Sequence, residues 1–188
     1  MPRFEIDVDP CDHITADAIG KPGQRVFYLQ AYQDTRTITI IIEKAQLLSL
    51  AVGVEQFLGQ LSQQNPDLEE ASGDFMEDAM RIHPPVDPLF RAGEIGLGYD
   101  KERDRVVVFT KELLTEDADP DSAAQIRFWA TRTQIRRLAS LVGDKIFHNA
   151  EDPSALNVVS RWSLKVISVQ RKMGTCIKNK VKGHKSKV

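Results

Sequence analysis

The sequence predicts an α+β fold in which two strand–strand–helix units share one antiparallel sheet, with both helices packed on one face of it. Segments with period-two alternation, typical of strands, occur in two groups, and each group is followed by a stretch of helical period. The two strand-to-helix junctions are also similar, because residues 41–47 and 129–135 share a basic residue, a Gln two positions later and then an apolar residue. We interpret this similarity as a weak internal repeat.

The first unit occupies residues 4–64. Alternation predicts strands at residues 4–8 and 13–19, and the β-branched and aromatic residues of 25–32 and 37–42 predict a hairpin. Gly20, Pro22 and Gly23 lie between the second and third of these strands, where Pro-Gly suits a type II turn. A helix then runs from Lys44 to near Gln64, and its apolar face consists of Leu47, Leu50, Ala51, Val54, Phe57, Leu58 and Leu61.

An acidic stretch, residues 65–90, contains four prolines and predicts a long connection with one helical turn near residues 75–81. Strands at 95–99, 105–110 and 125–130 follow. The second helix turns Ile135, Leu138, Leu141, Val142 and Ile146 toward the core.

Gly96 and Gly98 stand inside a predicted strand with no helix directly after it, so they do not form a dinucleotide-binding motif. They indicate a place where another backbone or a ring approaches closely.

Charge divides the chain into an α+β body, residues 1–147, and a basic tail, residues 148–188. Residues 151–188 contain two acidic and nine basic side chains (net +7), whereas residues 1–150 contain 25 acidic and 16 basic ones (net −9). Such a tail suggests nucleic-acid binding, but we consider this partner unfavoured because the acidic body repels phosphates. The Lys- and Gly-rich tail is predicted to lack a packed core of its own.

The composition also excludes several classes of protein. No apolar run approaches the roughly 20 residues that span a bilayer, and the alternating, acidic start is not a signal peptide. We therefore expect a cytoplasmic protein without a membrane partner. Neither a metal site nor a cofactor is predicted, because no ligand spacing joins the cysteines and histidines: Cys11, Cys176, His13, His83, His148 and His184.

Six side chains of the body form the candidate interaction surface on one open sheet face: Arg25, Gln30, Lys44, Arg127, Trp129 and Arg132. Alternation places Gln30, Arg127 and Trp129 outward and turns Leu29 and Phe128 inward. The alternative is that these residues are caps and solvated side chains, and that Trp129 packs under the 65–90 connection. No catalytic residue is predicted.

Four segments resemble successive blocks of the ParJ-like family over roughly residues 4–146: GKPGQRVFYLQA, IIEKAQLLSLA, FRAGEIGLGYDKERDRVV and RFWATRTQIRRLA. The family consists of uncharacterised actinobacterial and Chloroflexi proteins and is classed as a domain of unknown function. The resemblance implies a cytoplasmic, non-enzymatic protein associated with chromosome partitioning.

Members of the ParJ-like family typically end in a zinc-type motif, which implies zinc in intact relatives, but this chain contains no such motif. Permitted codons for residues 151–176, read two nucleotides later, can spell Cys-x2-Cys-x8-His-x-Cys, a ligand set for one structural zinc. We therefore predict that the tail is out of frame relative to the family's C-terminus and that this chain binds no zinc tightly.

The sequence leaves three functions open. The first is an interaction protein whose partner is another protein. The second is an enzyme or small-ligand binder with a pocket near Trp129, Arg132 and Lys44, and the third is nucleic-acid binding through the tail. The oligomeric state is not predicted.

Overall fold

The computed structural model describes residues 1–21, 23–147 and 165–168, and only the backbone of residues 145–147 and 165–168. Within them lie β1 (Glu5–Val8), β2 (His13–Ile19), β3 (Val26–Gln33), β4 (Arg36–Ile42), α1 (Lys44–Gln64), β5 (Pro88–Asp100), β6 (Arg105–Glu112), β7 (Gln125–Ala130), α2 (Arg132–Phe147) and β8 (Lys165–Ser168). Short 3-10 turns occupy Glu77–Met80, where one helical turn was expected, and Pro120–Ser122.

The α+β prediction is confirmed, but the expectation of a purely antiparallel sheet is wrong. Seven strands form a mixed sheet in the order β1-β7-β6-β5-β4-β3-β2, and β8 pairs with β5 off this path. Three pairs are parallel: β1 with β7, β4 with β5, and β5 with β8. The parallel β4–β5 pair arises because β5 begins at Pro88, before the predicted strand, and its first residues lie beside β4.

The apolar faces of both helices are largely buried as predicted, although Phe57 is only half-buried and the side chain of Ile146 lies outside the described part of the chain. Leu47, Leu50 and Val54 of α1 and Ile135 and Leu138 of α2 are at most 2% exposed. The helices contact each other, α1 also contacts β5, and α2 also contacts β2 and β6. Burying each such side chain contributes about 1.5–3 kcal/mol, so this helix–sheet layer supplies much of the stability.

The capping glutamine of α1 also contacts the irregular part of β5, where the ladder with β6 shifts register. Gln46 accepts a hydrogen bond from the Glu43 N–H at 3.0 Å, and its side-chain amide donates to the Ala92 and Gly93 carbonyls at 3.2 and 3.3 Å. The ladder with β4 ends at Arg91. Gln46 therefore provides hydrogen bonds to carbonyls just beyond the point where β4 stops pairing.

The second helix repeats this arrangement on the chain between β1 and β2. Gln134 accepts a hydrogen bond from the Thr131 N–H at 2.8 Å, and its amide donates to the Cys11 and Asp12 carbonyls, each at 3.0 Å. Here the β1–β7 ladder has ended at Val8, although the Cys11 N–H still donates to the Trp129 carbonyl at 2.7 Å, and β2 is about to pair with β3. The glutamines at the start of the two helices therefore bind backbone carbonyls in corresponding ways in the two halves of the sheet.

The turn between β2 and β3 has the hydrogen bond and the glycine conformation of the predicted type II turn. The Gln24 N–H donates to the Lys21 carbonyl at 2.9 Å, and Gly23 has a φ of 81°, as the third residue of a type II turn requires. Pro22, which was expected at the second position, lies outside the described residues.

Apart from the backbone of β8, the predicted tail also lies outside the described residues, and with it the expectation that the tail lacks a packed core. In the part of the chain that is described, no helix is long and apolar enough to cross a membrane.

Candidate functional site

The six residues predicted to form one surface lie in different environments. Arg25 is exposed beside the β2–β3 turn, and Lys44 is half-buried at the start of α1. Gln30 and Trp129 are buried, so the expectation that they face solvent is wrong. Arg127 is half-buried, and neither Gln30 nor Trp129 is exposed beside it, so the predicted continuous outward surface is not formed.

Trp129 is 3% exposed because charged side chains surround its indole. Its Nε1–H donates to Asp7 Oδ1 at 3.1 Å, and the Arg103 guanidinium lies 5.6 Å from the ring centroid. Arg103 in turn donates two hydrogen bonds to Asp9, at 2.8 and 2.6 Å. We call Asp7, Asp9, Arg103, Arg127 and Trp129 the β1–β7 cluster.

Within the β1–β7 cluster, the guanidinium of Arg127 is paired with carboxylates of β1. It donates to both carboxylate oxygens of Asp7, at 2.6 and 3.0 Å, and Asp7 lies directly beside it on the parallel strand β1. The hydrogen bond to Asp7 raises the pKa of Arg127 above its ordinary value. The guanidinium is therefore engaged in joining β1 to β7.

Arg132 is likewise engaged within the fold. Its guanidinium donates to both carboxylate oxygens of Asp104, at 2.8 and 3.0 Å, and to the Glu69 carbonyl at 2.5 Å. The hydrogen bond from Arg132 lowers the pKa of the Asp104 carboxyl. Burial, followed by the hydrogen bond to Asp104, raises the pKa of Tyr99 to about 12. Arg132 thus attaches the β5–β6 turn to the connection after α1.

Gln30 is buried because the connection, residues 65–87, folds over its face of β3. Its amide donates to Thr39 Oγ1 at 3.0 Å and to the His83 carbonyl at 3.1 Å. Its Oε1 accepts from the His83 N–H at 2.9 Å and from the Tyr32 hydroxyl. The connection, which was expected to cover Trp129 in the alternative interpretation, therefore covers Gln30.

His13 extends this polar layer at the edge strand β2. Its ring centroid lies 5.9 Å from that of Tyr32, which lies 5.9 Å from that of His83. His13 Nε2 is buried and has no hydrogen-bond partner among the residues that the structure describes. Burial, followed by the charges of His83 and Arg137, lowers the pKa of His13 below its ordinary value of 6.5.

We expect the free energy of unfolding to fall as the pH is lowered below about 6.5, because the unfolded chain then takes up the proton that folded His13 resists. The loss is at most about 1.4 kcal/mol per pH unit between the folded and unfolded pKa values. Urea unfolding of the wild type and of His13→Gln between pH 5 and 8 measures it. An equally steep decline in His13→Gln would contradict this assignment.

A cleft of about 410 Å³ opens between the connection and α2. We call it the connection cleft. Met76, on its rim, is 76% exposed, Phe75 is half-buried, and Arg137 of α2 is exposed and has no ion pair within the described residues. The remaining lining residues are Asp12, His13, Ile14, Asp74, Ala79, Met80 and Gln134.

An open, acidic groove of about 940 Å³ lies on the other side of the same segment. Its one arginine, Arg136, is paired with Glu70 at 2.8 Å and with Glu55 at 3.6 Å. Gly73 lies so close to α2 that a Cβ there would stand 2.7 Å from Ser140 Oγ. Neither this groove nor the connection cleft is lined by Trp129, Arg132 or Lys44, where the alternative hypothesis of a ligand binder placed a pocket.

Metal-ligating side chains are not grouped in the described part of the chain, where no three His, Cys, Asp or Glu residues lie together as a site requires. Cys11 is buried, and burial, followed by the charge of Asp9, raises the pKa of its thiol to about 12.

We expect Cys11 to react with a thiol reagent at least a hundredfold more slowly in the folded protein than in urea, because so little thiolate forms at neutral pH. Peptide mass spectrometry after timed labelling at pH 7.5 resolves this site from Cys176. Labelling of Cys11 at the unfolded rate under native conditions would show that the thiol is neither buried nor perturbed.

Sequence reasoning missed the residues of the connection that line the cleft. The signal was present: Phe75 and Met76 form an apolar pair between Asp74 and Glu77 in an otherwise polar, proline-rich segment. His13 and Arg137 carried no comparable signal, because their proximity depends on how α2 packs against β2.

Fold and side chains together define an α+β, mixed-sheet protein in which several prominent polar residues, among them Gln46, Gln134 and Arg132, join elements of the fold. The chain belongs to the family described as protein of unknown function (DUF3090), whose model matches residues 6–153. No curated protein and no solved structure gives a significant match. The predicted membership of a domain of unknown function is thus confirmed, and the ParJ-like name stays a resemblance.

Proposed function

We propose that this protein acts by binding another protein, and that the connection cleft is its binding site. The observation that carries the proposal is Met76, a large apolar side chain that is 76% exposed at the rim of a cleft lined by Phe75 and Met80. Methionine adapts to varied apolar partners. An apolar anchor from the partner would bury Met76 and fill the cleft.

The charges around the connection cleft favour a partner with an acidic residue beside its apolar anchor. Arg137 is exposed and has no ion pair within the described residues. The acidic residues of the cleft already have partners, since Asp12 accepts a hydrogen bond from the Asp34 N–H at 2.6 Å. Asp74 accepts one from the Ser72 hydroxyl at 3.1 Å. Arginine is enriched among the residues that dominate binding energy, and methionine is enriched at protein–protein interfaces.

We also propose a cellular role for this interaction. The ParJ-like resemblance implies an association with chromosome partitioning, so we propose that the partner belongs to that process and that both proteins are cytoplasmic. Cells in which Met76→Asp replaces the wild-type gene should then produce as many DNA-free cells as cells that lack the gene.

The test compares Met76→Asp with Leu113→Asp, in which another exposed apolar residue, 57% exposed, changes in the same way outside the cleft. Both exposed positions should tolerate the change within about 0.5 kcal/mol of stability. With tagged full-length chains in host cells, we expect wild type and Leu113→Asp to recover the same partner and Met76→Asp to lose it. Equal recovery by all three chains, or recovery of nucleic acid instead of protein, would refute the proposal.

We also propose that the two halves of the body are copies of one unit. Ile42 pairs with Phe27 at the end of the first hairpin, and Ala130 pairs with Val106 at the equivalent point of the second. The equivalent hydrogen bonds of the two capping glutamines support the same conclusion.

A further inference from the structure

The connection cleft contains two basic side chains that have no anionic partner in the described part of the chain. Arg137 of α2 is exposed and forms no ion pair there. His13 of β2 lines the same cleft and is half-buried, and its Nε2 is buried without a hydrogen-bond partner among the same residues. Because α2 packs against β2, the two side chains reach one cleft from different elements.

Arg137 differs in this respect from its neighbours on α2. The guanidinium of Arg132 is paired with Asp104, and that of Arg136 is paired with Glu70. Both are therefore used to hold the fold together, whereas Arg137 is not. A guanidinium presents several N–H donors in a planar arrangement that matches the two oxygens of a carboxylate, so Arg137 is suited to bind a carboxylate from outside the chain.

The groups that surround His13 favour its neutral form. β3 contributes the ring of Tyr32, 5.9 Å away between centroids, and the connection contributes His83, whose ring lies 5.9 Å beyond that of Tyr32. Burial, followed by the charges of His83 and Arg137, lowers the pKa of His13, so the neutral ring predominates at pH 7. An anion bound beside Arg137 would offset this repulsion and allow His13 to take up a proton.

The carboxylates that line the connection cleft do not play this part. Asp12 accepts a hydrogen bond from the Asp34 N–H, and Asp74 accepts one from the Ser72 hydroxyl. Both residues are exposed, and neither is paired with Arg137. Within the described residues, the basic side chains of the cleft are thus left for a carboxylate that a partner brings.

We propose that Arg137 and His13 form a carboxylate subsite of the connection cleft, which binds the side chain of an acidic residue beside the partner's apolar anchor and takes up a proton at His13. This inference rests on the proposed function, because the partner supplies the acidic residue. The proton comes from solvent, the imidazole becomes an imidazolium, and the carboxylate stays ionised. An aromatic anchor suits the remainder of the cleft, since the thioethers of Met76 and Met80 contact aromatic rings favourably.

Proton uptake makes the affinity depend on pH. The bound carboxylate raises the pKa of His13 above its value in the free protein, so the affinity increases as the pH falls through the interval between the two values and is constant above it. Between pH 7.5 and pH 5.5 we expect a gain of about fivefold or more. An aspartate carboxyl, with an ordinary pKa of about 4, stays ionised throughout this range.

The test uses the full chain and three dipeptide probes: acetyl-Asp-Phe-amide, its neutral counterpart acetyl-Asn-Phe-amide, and acetyl-Asn-Phe with a free C-terminal carboxylate. NMR titrations at pH 7.5 and 5.5 measure their affinities, and the ring protons of His13 report its pKa. We expect the Asp probe to bind most tightly, to gain affinity at pH 5.5 and to raise the pKa of His13. The two Asn probes should bind more weakly and without this gain.

Three variants assign the effect to the subsite. Arg137→Gln should weaken binding of the Asp probe at both pH values, and His13→Gln should remove the gain between them. Arg25→Gln is the matched control, because Arg25 is also an exposed arginine but lies outside the cleft, beside the β2–β3 turn. This variant should bind the Asp probe as the wild type does.

Four results would overturn the proposal: equal binding of the Asp probe and its neutral counterpart, absence of binding by both, a gain at pH 5.5 that His13→Gln retains, or tightest binding by the probe with the free C-terminus. The last would assign the subsite to a chain end. Each of these results is compatible with loss of the partner by Met76→Asp, so the subsite can fail while the proposed function stands. Equal recovery of the partner by Met76→Asp and the wild type would refute the proposed function instead.

Discussion

Trp129→Ala is expected to lower the free energy of unfolding by about 3–5 kcal/mol, the cost of emptying a large buried aromatic site. Trp129 is almost fully buried. The substitution also removes the hydrogen bond from its Nε1–H to Asp7 and the contact of its ring with the Arg103 guanidinium. In a domain of this size, the melting temperature should fall by roughly 10 °C. Thermal and urea unfolding of the purified variant measure both quantities.

Two matched variants show whether packing is the cause. Trp129→Phe keeps most of the buried ring and should cost less than half as much. Arg127→Ala removes a half-buried ion pair next to it and should cost about 1 kcal/mol or less. A melting temperature of Trp129→Ala within 2 °C of the wild type would contradict the burial of this indole.

Gln46→Leu should destabilise the protein by about 2–3 kcal/mol although its volume hardly changes. The substitution removes hydrogen bonds to Ala92 and Gly93 and the one from Glu43, and it leaves carbonyls without partners next to a buried side chain. Because Gln134 is less buried, Gln134→Leu should cost less, about 1–2 kcal/mol.

The two glutamine variants also test whether the two sets of contacts are equivalent. In hydrogen exchange, Gln46→Leu should increase exchange at residues 92–95, and Gln134→Leu should do so at residues 11–14. Uniform loss of protection across the sheet in both variants would show that the glutamines act on global stability and do not hold particular backbone segments.

The sequence predicted most of the local structure because the signals for it are local. The apolar stripe of α1 and the alternation in β3 each lie within one element, and Leu50 and Leu29 are buried as these patterns require. The Pro-Gly turn before β3 is equally local. Parallel pairing of β1 with β7 joins residues 120 positions apart, and no pattern within either strand encodes that choice.

The prediction of the candidate interaction surface was wrong for a related reason. Alternation correctly separates the two faces of a strand, but it does not show what covers the second face. Gln30 is polar and buried because a connection without regular periodicity folds over it, and Trp129 is enclosed by residues from β1 and the β5–β6 turn. Polar residues in apolar strands here indicate contacts within the fold.

The central claim is that the connection cleft binds a partner while the β1–β7 cluster maintains the fold. Hydrogen–deuterium exchange of the full chain, with and without the partner recovered by the wild type, tests it most directly. We predict added protection in the segment that contains Phe75, Met76 and Met80 and no change in β7. Protection confined to β7 and the β5–β6 turn, with residues 74–80 unchanged, would contradict the claim.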